Sequence, residues 1–225
     1  MPKIIIKLDI EKDFWNWWEA CNKTSHGVDW KKNISLELSE KLFNKSEEEA
    51  FALIAPHIKK MYVENNLQAK IAELQKYFDK KQDEIFATME KLTMQKIYCD
   101  DFTCFLTTFP RFPYDYDKGY IWLSYRRDFD YQVSIFIHEL LHFQYFAYYG
   151  ERAWDYLGEE KYGYLKEAMT VILNEECGHL TSEKDDGYEI HKELRAQLLD
   201  IWKKTKRFDL FFEQALEVTK MIEIK

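Results

Sequence analysis

The chain has few of the residues that break regular structure, with 7 glycines and 4 prolines among 225 residues. That scarcity excludes collagen-like and low-complexity architectures and favours long, uninterrupted elements. No 18 apolar residues run together, so no segment reads as a membrane span. The opening MPKIIIKLDIEKDF offers only a short isoleucine run before a lysine, far less than the core of a signal peptide. A cytoplasmic protein with no membrane partner is the expectation. Concentrated basic stretches are also missing: 32 Lys and Arg stand against 40 Asp and Glu, giving a formal net charge of −8. Nothing there neutralises a phosphate backbone, so no nucleic-acid partner is expected. The four cysteines (Cys21, Cys99, Cys104 and Cys177) are scattered, with no C-x-x-C pair. That spacing excludes a dense disulfide framework and a thiolate metal site, leaving reduced structural thiols.

What is present is apolar and aromatic. Apolar residues make up 46% of the chain and aromatic ones 17%, which fits a folded, helix-rich protein with an aromatic core. The β-branched stretch KIIIKLDI reads as a short strand, and EKDFWNWWEACNK as a helix with Phe14, Trp17, Trp18 and Cys21 at helical spacing. TSHGVDWKKN reads as a loop. Ser46 followed by Glu49 forms a capping box, which predicts a helix to about Asn65 with Pro56 as a possible kink. Leu67, Ile71, Leu74, Phe78, Ile85, Met89 and Leu92 then mark one long amphipathic helix. Lys81 interrupts its seam, which argues for packing within its own chain over a dimerising coiled coil. A monomer is the expectation.

Beyond Lys96, KIYCDDFTCFLTTF and KGYIWLSYR read as two strands joined by the irregular PRFPYDYDKG. A helix is predicted from about Asp128 to Tyr149, stopped by Gly150, followed by one near 162–177. After an acidic turn SEKDDG, closing helices are predicted near 189–204 and 208–223. The fold class is α+β and predominantly helical. Two regions are expected, a helical N-terminal one over 1–95 packed on a mixed one over 96–225.

The chemistry concentrates in SIFIHELLHFQYFAYYG, where His138, Glu139 and His142 spell H-E-x-x-H. Four residues advance an α-helix by about 400°, so the two imidazoles project from one face and can converge on one ion. Glu139 lies about 100° round from His138, beside such an ion, where a base acting on water belongs. The surrounding Phe136, Ile137, Leu140, Leu141, Phe143 and Phe146 predict a buried helix, in which unpaired imidazoles and a carboxylate would be costly.

A strand region followed by a helix bearing HELLH resembles the zincin metallopeptidases. The metzincin continuation H-x-x-G-x-x-H is broken, because Tyr145 and Tyr148 occupy its glycine and last histidine positions. The pattern is closer to the gluzincin, thermolysin-like branch, whose third ligand is a glutamate on a later helix. That resemblance implies a catalytic region with a small sheet, one Zn2+ per chain, and a peptide or protein substrate. It implies His138, His142 and Glu167 as the metal ligands, with Glu175 and Glu176 as rivals to Glu167, and Glu139 as the general base. Glu167 is favoured because it opens an apolar run through Ala168, Met169 and Val171. An oxyanion-stabilising His or Tyr is implied beyond the glutamate helix, with His191 preferred over His179 and Tyr188. GYIWLSYR resembles the edge strand on which zincins lay substrate, the alternative being an ordinary internal strand.

Two other readings remain. A zincin fold without peptidase activity could serve as a binding or regulatory module. Alternatively, Glu139-x-x-His142 and Glu176-x-x-His179 could be the paired motifs of a ferritin-like di-iron protein, although the strands and Gly178 suit a four-helix bundle poorly.

Overall fold

A computed structural model describes residues 2–23, 28–181 and 183–223. Thr24–Gly27 of the expected loop and Ser182 of the acidic turn lie outside the described residues. Four strands and nine α-helices are assigned among the described residues, so the fold is α+β and predominantly helical. The chain forms two compact units, one of residues 1–2, 81–100 and 133–225, the other of residues 3–80 and 101–132. Both are assembled from interleaved segments, and residues 95 and 96 fall within the same unit.

The second unit holds the sheet. β1 (Lys3–Lys7), β2 (Asp101–Thr107) and β4 (Tyr120–Ser124) run parallel, and β3 (Tyr114–Asp115) adds antiparallel to β4, in the order β1-β2-β4-β3. β4 is thus internal where β3 covers it, and the Trp122 amide donates to the Pro113 carbonyl at 2.9 Å. Strand addition by a substrate at that position is ruled out, because those backbone groups are already paired.

Helices α1 (Ile10–Asn22), α2 (Leu36–Glu40) and α3 (Glu47–Glu64) belong to the same unit, and α1 packs on α3 and β2. Asp9 caps α1 by accepting from the amides of Glu11 and Lys12, and the predicted capping box between Ser46 and Glu49 is formed at α3. α4 (Leu67–Thr93) follows the predicted periodicity. Its Gln75 serves both backbone groups on the edge strand β1, accepting from the Ile6 amide and donating to the Ile4 carbonyl, each at 2.8 Å. Asp13 of α1 is buried and accepts from the Thr107 hydroxyl at 2.6 Å, the Thr108 amide at 2.9 Å and the Thr108 hydroxyl at 2.8 Å.

The first unit carries most of α5 (Phe129–Leu157), together with α6 (Glu159–Met169), α7 (Leu173–Glu176), α8 (Lys192–Thr205) and α9 (Phe208–Met221). Two boundaries differ from the sequence expectation. α5 does not stop at Gly150, because that glycine keeps helical geometry and serves packing: a Cβ there would stand 3.3 Å from the Tyr162 hydroxyl. The break comes at Gly158, with φ +76°. The single helix expected over 162–177 is instead α6, a 3-10 turn at Thr170–Ile172, and α7. The Thr170 hydroxyl takes the Glu167 carbonyl at 2.9 Å, which diverts that acceptor from the α-helical ladder.

Candidate metal centre

α5 builds the first half of the site. Phe136, Ile137, Leu140, Leu141 and Phe143 are all at most 1% exposed, so the helix is fixed in rotation by burial nearly all round. His138 and His142 then lie one turn apart, with ring centroids 4.5 Å from each other and planes at 81°. α6 brings Glu167 to the same place, its Oε2 3.6 Å from His142 Nε2 and 3.9 Å from His138 Nε2. One ligand atom from each of the three residues lies within 4.8 Å of the others, and together they could hold a metal ion. Two imidazole nitrogens and a carboxylate oxygen are a donor set suited to a divalent cation, with room for a further ligand.

Glu139 is 8% exposed, and its Oε2 is buried with no hydrogen-bond partner among the described residues. A buried carboxylate oxygen left over beside this donor set fits a water or substrate group held there. Burial pushes the Glu139 carboxyl up to about 7, against the opposing influence of His138 and Lys166. Burial likewise lowers His142 to about 3, helped by the Lys166 charge, so its imidazole is neutral as a ligand must be. Burial alone would raise Glu167, but His142, Lys166 and His138 outweigh it and hold the carboxyl below its ordinary value.

His138 has a second partner that the sequence pattern does not announce. Its Nδ1 stands 3.1 Å from Asp185 Oδ2, and with 26% of the His138 side chain exposed the ring is still held above the ordinary imidazole value, Asp185 overcoming the effect of burial. Asp185 is itself fixed. Its amide donates to Asn174 Oδ1 at 2.8 Å, and Asn174 returns a hydrogen bond to its carbonyl at 2.9 Å. The Gly187 amide donates to Oδ1 at 3.0 Å, and Arg195 donates to the Asp185 carbonyl. The same guanidinium reaches the Thr170 hydroxyl at 2.7 Å and the Glu167 carbonyl at 3.3 Å, so one buried arginine braces both α6 and the loop. In sequence, Asp185 is only part of an acidic turn; a signal existed in the need of a metal-binding histidine for a partner on its other nitrogen.

No family model, curated protein or solved structure matches this chain. The site therefore stands on its own geometry.

The remaining candidates are placed as follows. Glu175 pairs with Lys203 at 3.7 Å. Glu176 accepts from Trp202 Nε1 at 2.8 Å and pairs with Lys206 at 2.7 Å. His179 is half-exposed and stands 3.7 Å from Glu84. Of the three competing glutamates, then, Glu167 joins the histidines, and the second E-x-x-H pair is engaged elsewhere. His191 is buried between Tyr164 and Tyr188, with ring centroids at 4.5 and 5.7 Å. Tyr188 stands in the field of Glu167, Glu139 and Asp185, and burial with those charges raises its hydroxyl above the ordinary value.

Proposed function

We propose that the protein is a zinc-dependent metallopeptidase resembling the gluzincin branch of the zincins. The observation that carries this reading is the convergence of His138, His142 and Glu167 with the Glu139 carboxyl buried beside them. His138, His142 and Glu167 would hold the ion. Zinc bound there supplies Lewis acidity, polarising a carbonyl and making water a competent nucleophile near neutral pH.

The chain's own residues supply the rest. Glu139 takes a proton from the water that attacks the scissile carbonyl carbon. As the C–N bond breaks, it passes that proton to the departing nitrogen, giving a carboxylic acid and an amine, and the acid's proton then moves to the amine to leave carboxylate and ammonium. A carboxyl raised to about 7 suits both transfers. Asp185 Oδ2 accepts a hydrogen bond from His138 Nδ1, which would fix the tautomer that leaves Nε2 for an ion. His191, or Tyr188 whose ring lies 5.7 Å from it, is the candidate for stabilising the oxyanion.

The test is elemental analysis joined to peptide-library cleavage. About one zinc per chain is expected in the wild type and in Glu139→Gln, none in His142→Ala, and cleavage only in the wild type. Zinc uptake with no cleavage of any library member would leave a binding module, and full activity in Glu139→Gln would remove the mechanism.

A further inference from the structure

Lys166 immediately precedes the ligand Glu167 on α6 and is 7% exposed. An ammonium withdrawn from water needs a close anionic partner, since taking its charge out of water is costly. Its Nζ lies 2.5 Å from Glu167 Oε1 and 5.9 Å from the centroid of the Phe146 ring. The two oxygens of Glu167 thus face opposite ways: Oε1 meets the ammonium, and Oε2 meets Nε2 of His142 and of His138.

Resting on the reading that this triad holds a cation, we propose that Lys166 is a positioning residue that restricts Glu167 to a single donor oxygen. A carboxylate with both oxygens free can chelate a divalent ion through both, adding a coordination bond. With Oε1 held by a buried ammonium, only Oε2 is offered. The three side chains then contribute three donor atoms, and one position of a tetrahedral ion stays open for water or substrate. Lysine suits this task as a point charge that binds one oxygen. Arginine in its place would fork across both oxygens and compete with the ion.

Cobalt(II) reports coordination number directly, because four-coordinate sites absorb visible light far more strongly than five-coordinate ones. The full chain is loaded with cobalt, and the spectra of wild type, Lys166→Met and Lys166→Gln are compared. The wild type should give the strong four-coordinate bands, and Lys166→Met should lose several-fold in intensity as Glu167 becomes a two-oxygen ligand. Lys166→Gln, which keeps a donor for Oε1 without the charge, should restore much of the wild-type spectrum. A Lys166→Met protein with lowered melting temperature but an unchanged cobalt spectrum would mean that the ion pair serves only the fold. A weak, five-coordinate wild-type spectrum would overturn the proposal without any variant having to fold. If the wild type takes up no cobalt or zinc, the metal centre itself fails, a result distinct from both.

Discussion

His138 Nδ1 meets Asp185 Oδ2 at 3.1 Å, so a loop residue determines which nitrogen of a helix histidine faces the Glu167 carboxylate. Replacing Asp185 with Ala should weaken zinc binding by about 10–100-fold, measured by competition with a chelator. Asp185→Asn keeps an acceptor oxygen and should lose less. Equal affinity in all three proteins would show that His138 needs no such partner.

Gly187 precedes Tyr188 with φ +65°, and a Cβ there would come within 2.7 Å of the Arg195 guanidinium. Gly187→Ala should therefore destabilise the fold by at least about 1–2 kcal/mol and loosen the loop that carries Asp185. Gly163 offers the opposite case, lying inside α6 with open space at its Cβ position. Alanine there should stabilise by about 0.5–1 kcal/mol. Denaturant melts of the two variants should move in opposite directions.

Zinc at a hundredfold excess over its dissociation constant should stabilise the wild type by about 2.7 kcal/mol, through mass action on the folded state. His142→Ala should gain nothing, because His142 faces Glu167 Oε2 directly and its loss removes a donor. Thermal melts with and without zinc, and after chelation, check both statements.

Asp13 makes stability depend on pH in the other unit. Burial raises its carboxyl from 3.8 to about 6, against lowering by hydrogen bonds from Thr107, Thr108 and Tyr62. The folded state thus holds this proton more tightly than the unfolded chain, so the group imposes no penalty at low pH. Stability should fall as pH rises from about 4 to about 6, by about 3 kcal/mol in all, and level off above. Asp13→Asn should lack this component; parallel pH profiles of the two proteins would show that the donors, not burial, control the carboxyl.

Much of the molecule was readable from local pattern. The capping box at Ser46, the periodicity from Leu67 to Leu92, and the strands through Phe105 and Trp122 depend on neighbours a few residues apart, and they stand close to where the sequence puts them. Gly150 misled because a glycine in a helix can mean a stop or a close approach, and only the position of Tyr162 distinguishes them. The break after Met169 was hidden for a similar reason, since the groups that occupy the Glu167 carbonyl include an arginine from α8.

The same division runs through the candidate metal centre. That His138 and His142 share a face with Glu139 beside them is legible in the chain, because i, i+4 geometry is a property of any α-helix. Packing between distant segments is what brings Glu167 to them while Glu175 and Glu176 turn to Lys203 and Lys206. It alone brought Asp185 to His138 and turned Lys166 onto Glu167 Oε1. Those choices depend on how α6, α8 and the loop between them pack on α5, and contacts between distant segments leave no period in the chain to be read.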